Sequence, residues 1–246
     1  HDKRFTLASP SDKPVSVHSY HDPLISVIVP VGKAHTESVA RAIDSVLGQT
    51  LKEWEVIVYN DSGVELSALN PYPFIVVVYG SGKGTGSARN AAMNHARTPL
   101  VLFLDADDYL VPNALAKMSE AYALQEGRYI YTDWVATQGE SQSVQSSPEY
   151  NPEALMHAGQ HPVTVLMATE DARRLTFDET LEAWEDWDFF ARAAIEGVHG
   201  FRLPLPLLFC NVIGERRTIT AMKNKELLEK RIQKRYEAYA KGEKQM

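Results

Sequence analysis

Residues 24–30 read LISVIVP, a short run of apolar and β-branched residues that ends at a proline. Three similar runs follow, at Glu55–Tyr59, Phe74–Tyr79 and Leu100–Leu104. Each run is too short for an independent helix and is largely apolar on both faces, which is typical of a buried parallel strand. The sequence therefore predicts an α/β fold built around a central, mostly parallel sheet.

Amphipathic segments separate these predicted strands. Residues 36–49 and 85–97 have the apolar spacing of helices that lie on a sheet. Pro112 suits the first turn of a third helix that continues to about Gln125. Alternating strands and helices imply right-handed crossovers, and therefore a doubly wound sheet with helices on both faces. Such sheets bind ligands beyond the carboxyl ends of their strands, which here are followed by Val31–Lys33, Asn60–Ser62, Gly80–Gly86 and Asp105–Asp108.

A carboxylate cluster follows the fourth predicted strand in the sequence LFLDADD, residues 102–108. Clustered carboxylates repel one another unless a cation lies among them. Mg²⁺ or Mn²⁺ suits oxygen ligands, especially when one or two carboxylates share the ion with substrate phosphates. The same residues also suit an Asp-rich turn that caps the following helix, so the residues alone leave both interpretations open.

The glycine-rich segment GSGKGTG, residues 80–86, follows a strand and opens a helix, as a phosphate-binding loop does. Its spacing departs from that motif. The first glycine would fall at Val77, and Gly84 occupies the position after Lys83 where the motif has serine or threonine. A flexible loop is the plainer interpretation, and a phosphotransferase that uses Gly80–Gly86 is the less favoured alternative.

The sequence WEDWD, residues 184–188, predicts the start of a helix whose first-turn acids oppose the helix dipole. A carboxylate between two tryptophans would also lie in a partly apolar cleft, where its pKa rises and where it suits general-base catalysis. Aromatic faces also stack on sugar rings. A helix cap and a catalytic base are both consistent with this motif.

Composition excludes several classes of protein. The chain has 246 residues, a formal charge of −7 and one cysteine, Cys210. The negative charge argues against a general nucleic-acid-binding protein. A single cysteine cannot form an internal disulfide, which suits a reducing compartment such as the cytoplasm. The longest apolar runs are far shorter than the ~20 residues of a membrane-spanning helix.

Several segments, taken in order, resemble the family 2 inverting glycosyltransferases, which use nucleotide sugars and have the GT-A fold. They are ISVIVPV, a helix that ends in SVLGQT, WEVIVYNDSG, GTGSARNAAMNHA, VLFLDADD and EDWDFFARAA, and they span about residues 24–220. The resemblance implies a Rossmann-like, mostly parallel central sheet with helices on both faces. It also implies a C-terminal acceptor-side region, followed by a C-terminal helix.

The resemblance implies roles for individual residues at the sugar donor. The residues implied to contact this donor are Pro30, Val31, Asp61, Arg89, Asp105 and Ala106. Among them, Asp61 would bond the nucleotide base, typically uracil, and Asp105 would lie near the ribose. Asp107 would bind a divalent metal, Mn²⁺ or Mg²⁺.

On the acceptor side, the resemblance implies that Asp186 is the catalytic base and that the acceptor is flanked by Trp184, Glu185 and Trp187. Arg216 or Arg217 would contact the pyrophosphate. The implied activity is the metal-dependent transfer, with inversion, of a sugar from a nucleoside-diphosphate sugar, with UDP-sugar favoured. The acceptor would be a hydroxyl of a glycan, a lipid-linked acceptor or a protein.

Some residues depart from the family pattern. Gly32 and Lys33 replace the aromatic residue and the asparagine that the family carries after its first strand. Asn60 replaces the acid that the family carries before the position of Asp61. These departures motivate an alternative function, a catalytically silent module that binds a nucleotide sugar.

The predicted organisation has three parts: a polar lead-in (1–23), a GT-A domain (24–219) and a charged C-terminal helix (220–246). Within the domain, we expect a nucleotide-sugar-binding half at 24–135 and an acceptor and catalytic half at 136–219. Within the second half we expect a loop at 139–160, strands at 162–168 and 201–209, and a helix at 185–196. Apolar residues of the C-terminal helix are expected to dock on the domain: Leu227, Leu228, Ile232 and Tyr236. Its basic neighbours also leave open a homodimer contact or a peripheral contact at the cytoplasmic face of a membrane.

Overall fold

The computed structural model describes residues 23–66, 69, 72–80, 83–125, 127–212 and 215–240. Within residues 215–240, side chains are described for 225–238 only. The predicted lead-in, apart from Pro23, and residues 241–246 of the predicted C-terminal helix therefore lie outside the described residues.

In the first half, the predicted strands and helices form in the predicted order, and two strands that were not predicted follow at Tyr109–Leu110 and from Tyr129. The strands are β1 (Ile25–Val31), β2 (Trp54–Asn60), β3 (Ile75–Tyr79), β4 (Leu100–Phe103), β5 (Tyr109–Leu110), β6 (Tyr129–Gln138), β7 (Ser141–Gln145), β8 (Leu166–Ala168) and β9 (Gly200–Asn211). The helices are α1 (Val39–Leu47), α2 (Thr85–Met93), α3 (Ala114–Leu124), α4 (Pro152–Leu155), α5 (Thr169–Leu175), α6 (Glu185–Ile195) and α7 (Glu215–Ala240).

All of these strands join in one sheet, with the order β3-β2-β1-β4-β8-β6-β9-β5 and with β7 paired to β6. The pairs β3–β2, β2–β1 and β1–β4 are parallel. β8 is antiparallel to both β4 and β6, so the second half of the chain extends the parallel sheet into a mixed one. The predicted α/β class is confirmed, and both predicted halves of the domain contribute strands to the same sheet.

Helices cover both faces of this sheet. Val27 and Val29 of β1 pack in an apolar cluster with α1 and α3, whereas Ile28 packs in a second cluster with α2, α5, α6 and α7. Neighbouring residues of a strand point to opposite faces, so a strand covered on both sides must be apolar throughout. This is why β1, β2 and β4 are visible in the sequence, whereas β3 lies at the edge of the sheet and is only partly buried.

The second half differs from its prediction in several places, one of which is the helix α5, which was not predicted. Residues 139–160, expected as a loop, contain β7 and α4. The polar side chains of β7 are mostly exposed, so the strand shows no apolar pattern. The strand expected at 162–168 is limited to Leu166–Ala168, and β6 was not predicted.

The C-terminal helix docks on the domain, as expected from its apolar residues. Leu228 and Ile232 are almost completely buried in the second cluster, and Tyr236 packs against it. Leu227, which was grouped with them, is 72% exposed because it lies on the solvent side of the helix, so this part of the expectation is wrong. None of the helices in the described part of the chain has the length and apolar character needed to span a bilayer.

Candidate active site

The carboxyl ends of β1, β2, β3 and β4 converge on an open cleft of about 700 Å³. This volume is within the usual range for sites that bind small molecules. The cleft is lined by five of the six predicted sugar-donor contacts, together with the predicted metal ligand: Pro30, Val31, Asp61, Asp105, Ala106 and Asp107. The structure thus brings together residues that are widely separated in the sequence.

Gly80 allows two strand ends to approach each other closely at this cleft. A Cβ atom on Gly80 would lie 1.8 Å from Oδ1 of Asp61 and 2.3 Å from the ring of Tyr59, so a larger residue would displace one of them. Oδ1 of Asp61 is buried and makes no hydrogen bond within the described residues. A buried acceptor atom normally has a partner, and here a ligand N–H can supply one.

A buried arginine, Arg89, connects this cleft to the start of α6. Its Nη2 donates to Oδ1 of Asp105 over 2.6 Å, and its Nη1 donates to Oε1 of Glu185 over 2.9 Å. Burial alone would lower the pKa of Arg89. The carboxylates of Asp105 and Glu185 have the larger, opposite effect, so the pKa of Arg89 is raised. A permanently charged bridge therefore holds the end of β4 against the first turn of α6.

The side chain of Arg89 is 2% exposed and is not among those that line the cleft. Both of its bonded nitrogens face protein carboxylates. The structure thus shows a positioning contact for Arg89, and the predicted contact with the nucleotide stays a prediction.

The carboxylates after β4 have different surroundings. Asp107 lines the cleft, with its Oδ2 3.6 Å from Nδ1 of His35. Asp108 is buried, and its Oδ1 accepts from the backbone N–H of Asn211 over 2.9 Å. Burial, reinforced by the charge of Asp105, raises the pKa of Asp108 to about 8. Of the three carboxylates that follow β4, only those of Asp105 and Asp107 therefore line the cleft.

These carboxylates fit one kind of metal site. Among the described residues, no group of three or more His, Cys, Asp or Glu side chains has the arrangement needed to hold an ion. A protein-only metal centre thus does not fit the described residues. One carboxylate, Asp107, in a cleft large enough for a nucleotide fits an ion that is shared with substrate phosphates.

Asp186 lies in the first turn of α6, two residues after a strained residue. Trp184 has φ 64° and ψ 21°, a left-handed conformation that is costly for a non-glycine residue. Oδ1 of Asp186 accepts from the backbone N–H of Trp187 over 2.8 Å. Burial, followed by the charge of Glu185, raises the pKa of Asp186 to about 6. Such a carboxylate is ionised at neutral pH and is a stronger base than an ordinary aspartate.

Asp186 also lines a second pocket, of about 310 Å³. Two of the predicted acceptor-side residues, Trp184 and Trp187, line this pocket with it. Glu185 does not, because its carboxylate accepts from Arg89.

The sequence model of glycosyl transferase family 2 matches residues 26–181. The chain belongs to glycosyltransferase family 2. An uncharacterized glycosyltransferase of Rickettsia prowazekii is 27% identical over 186 residues, which are 69% of this chain and 58% of that protein. One of Methanocaldococcus jannaschii is 25% identical over 189 residues, which are 69% of this chain and 64% of that protein. The chain therefore spans about three fifths of the length of these relatives.

A crystal structure of S. aureus TarS residues 1–349 in complex with UDP-GlcNAc is similar in fold. Its TM-score is 0.66 with 20% sequence identity, over 80% of this chain and 61% of that one. This likeness confirms the GT-A fold that the family resemblance implies. Among the predicted site residues of this family 2 member, Arg216 and Arg217 lie in α7 with side chains outside the described residues.

Sequence reasoning missed one wall of the second pocket. Trp134 and the segment 159–162 form this wall, and none of the predicted site residues lies among them. Trp134 belongs to β6, the strand that was not predicted, and this explains its omission. The one available signal was the concentration of aromatic residues in YIYTDW, residues 129–134.

Proposed function

We propose that this chain is a glycosyltransferase module that transfers a sugar from a nucleoside-diphosphate sugar to an acceptor hydroxyl, with UDP-sugar as the favoured donor. One observation carries this proposal. Arg89 joins Asp105 of the cleft to Glu185 of α6 in one ion-paired unit, and Glu185 directly precedes Asp186. Membership of family 2 and the similarity to TarS, whose structure was determined with UDP-GlcNAc, support a nucleotide-sugar donor.

We assign the nucleotide to the larger cleft. The buried Oδ1 of Asp61 would accept the N–H of a uracil ring, because it has no partner within the described residues. Pro30 and Val31 would form the apolar floor beneath the base and the ribose. The departures Gly32 and Lys33 lie on the same cleft, so the preference for uracil depends on Asp61 in this proposal.

The proposed reaction is a direct displacement at the anomeric carbon. Asp186 accepts the proton of an acceptor hydroxyl while the oxygen forms a bond to the anomeric carbon of the sugar. The bond from that carbon to the diphosphate oxygen breaks on the opposite face, and the nucleoside diphosphate leaves with the bonding electrons. The anomeric configuration is therefore inverted. A positioned general base contributes about 10² to 10⁴ to the rate.

We propose Asp107 as the ligand of the divalent ion, Mn²⁺ or Mg²⁺. When bound there, such an ion neutralises negative charge on the diphosphate. The hydrogen bond from Arg89 fixes the position of Asp105. We therefore propose that Asp105 accepts hydrogen bonds from the ribose hydroxyls.

The two alternatives make different predictions. A catalytically silent module would bind nucleotide sugars and never hydrolyse them. A phosphotransferase would bind ATP through Lys83, but that side chain is exposed and does not line the cleft. The bridge from Asp105 through Arg89 to Glu185 positions α6, which carries Asp186, and therefore favours an enzyme over a binding module.

The test is a calorimetric titration of UDP-glucose, UDP-N-acetylglucosamine, UDP-glucuronic acid, GDP-mannose and ATP, with and without Mn²⁺, followed by assays for hydrolysis. We expect a UDP-sugar to bind with Mn²⁺ and to be hydrolysed slowly. Asp61→Ala should weaken that binding, and Lys83→Ala should leave it unchanged as the matched control. Absence of binding by every nucleotide sugar would overturn the proposal, as would ATP binding that Lys83→Ala abolishes.

A further inference from the structure

The smaller pocket beside Asp186 has a composition of its own. Its volume of about 310 Å³ suits a ligand of roughly one or two sugar rings. The lining residues come from β6, from α4 and the loop after it, and from the start of α6. Their side chains are mostly aromatic or apolar, and they include one carboxylate, Asp186, and no Lys or Arg.

Three tryptophans line this pocket, Trp134, Trp184 and Trp187, and the backbone is irregular at the first two of them. The register between β6 and β9 shifts on each side of Asp133, immediately before Trp134. Such bulges redirect the side chains that follow them and are frequent beside active sites. On the opposite element, the left-handed backbone of Trp184 sets the direction of its side chain. Strain of this kind persists only where the surrounding structure enforces it.

The surroundings fix the irregular segment of β6. Both carboxylate oxygens of Asp133 accept from Arg202 of β9, each over 2.9 Å. Asp133 Oδ1 also accepts from the backbone N–H of Ser147 over 3.0 Å. Because these bonds lie next to Trp134, they hold the residue that projects into the pocket.

Apart from Asp186, the polar lining is uncharged. His161 is partly buried, its Nδ1 is 2.9 Å from the carbonyl oxygen of Pro162 and its Nε2 is 3.2 Å from the hydroxyl of Tyr129. Burial lowers the pKa of His161 to about 4, so the ring is neutral at neutral pH. A phosphorylated acceptor would therefore meet a carboxylate and no compensating cation among the lining residues.

We infer that this pocket is the subsite for the reactive end of the acceptor, and that the acceptor presents there an uncharged pyranose ring whose apolar face stacks on Trp134 and Trp184. The inference rests on the proposed function, since it places the accepting hydroxyl beside Asp186. Ring C–H groups pack on aromatic faces, and hydroxyl groups bond to the carboxylate. The acceptor is then a saccharide or glycoconjugate that ends in a neutral sugar, and not one that is phosphorylated at this end.

The experiment uses the whole chain saturated with UDP and Mn²⁺, so that only the smaller pocket is open. The probes are the methyl glycosides of glucose, galactose, N-acetylglucosamine and N-acetylgalactosamine, with glycerol 3-phosphate as the charged comparison. Binding is followed by saturation-transfer-difference NMR and by tryptophan fluorescence. We expect at least one glycoside to bind, with saturation strongest on the ring C–H protons of one face.

The variants separate stacking from folding. Trp134→Ala should weaken glycoside binding by about tenfold. Trp134→Phe keeps an aromatic face and should stay within about twofold of the original affinity. Both variants should bind UDP as the unchanged chain does, and Trp184→Ala provides a second test should Trp134→Ala not fold.

Three results would overturn the inference: no glycoside binds, glycerol 3-phosphate binds more tightly than every glycoside, or Trp134→Ala and Trp184→Ala leave glycoside affinity unchanged. Hydrolysis of a nucleotide sugar is measured in parallel, because it uses water and needs no saccharide acceptor. Hydrolysis without glycoside binding would remove only the acceptor inference. Glycoside binding at Trp134 without any nucleotide-sugar binding would remove the proposed function.

Discussion

Replacing Asp186 with asparagine should remove activity and increase stability at neutral pH. The substitution removes the charge and keeps the shape, and the amide oxygen can still accept from the backbone N–H of Trp187. Loss of the proposed base should lower transfer by about 10² to 10⁴. Donor binding should persist, because Asp186 does not line the larger cleft.

The stability change follows from the raised pKa. Burial and the charge of Glu185 raise the pKa of Asp186 from 3.8 to about 6. A carboxyl whose pKa is raised in the folded state stabilises the fold fully at a pH below its pKa in the unfolded state, near 3.8. This contribution to the free energy of unfolding is lost as the pH rises through about 6. A shift of roughly 2 units corresponds to roughly 3 kcal/mol. Because asparagine cannot ionise, Asp186→Asn should retain this free energy above pH 6, which corresponds to roughly 6–12 °C in Tm.

Urea unfolding of both proteins, measured between about pH 4 and pH 8, checks this prediction. The two free energies of unfolding should agree at the acidic end and diverge through about pH 6. Asp188→Asn is the matched control two residues further along α6. Asp188 is fully buried and accepts from Arg192 and Arg235, so its loss should destabilise the fold at neutral pH. Equal stability of Asp186→Asn and the unchanged protein at pH 8 would refute the reasoning.

Other predictions concern catalysis and the elements that support it. The rate of transfer in the unchanged protein should fall below about pH 6 as Asp186 is protonated, and a pH–rate profile that stays flat to pH 5 would contradict the assigned base. Arg235→Met should lower kcat and cost about 2 kcal/mol of stability, because α7 would lose its hydrogen bond to Asp188 of α6. Donor affinity should not change. Lys230→Met, on the exposed side of α7, should change neither kcat nor stability. Asp107→Ala should abolish the Mn²⁺ dependence of donor binding in calorimetry, while Asp108→Asn should retain it because Asp108 is buried against Asn211.

The parallel half of the fold could be predicted because its pattern is local. Each residue of β1 is buried, with Ile28 on one face and Val29 on the other, so the strand is apolar apart from Ser26. The second half carries no such pattern. Asp133 is buried within β6 because Arg202, 69 residues away, pairs with it. A sequence read locally shows a charged residue there and indicates a loop.

The candidate site likewise contains residues whose place a local sequence pattern predicts and residues whose place it does not predict. Asp105 and Asp107 follow an apolar strand, and their place at the cleft follows from the topology of a doubly wound sheet. The buried bridge from Arg89 to Glu185 joins residues 96 positions apart and depends on how α6 packs against α2. Trp134 faces its pocket only because the pairing of β6 with β9 is irregular, which no local pattern indicates.

The stereochemistry of hydrolysis tests the central claim most directly, because water can serve as the acceptor when the natural one is unknown. A UDP-α-sugar is incubated with the chain and Mn²⁺, and proton NMR records which anomer of the free sugar forms first. We predict initial release of the β-anomer, with no release by Asp186→Asn under conditions in which that variant still binds the donor. Initial release of the α-anomer, or hydrolysis by Asp186→Asn at the unchanged rate, would contradict a direct displacement that depends on Asp186.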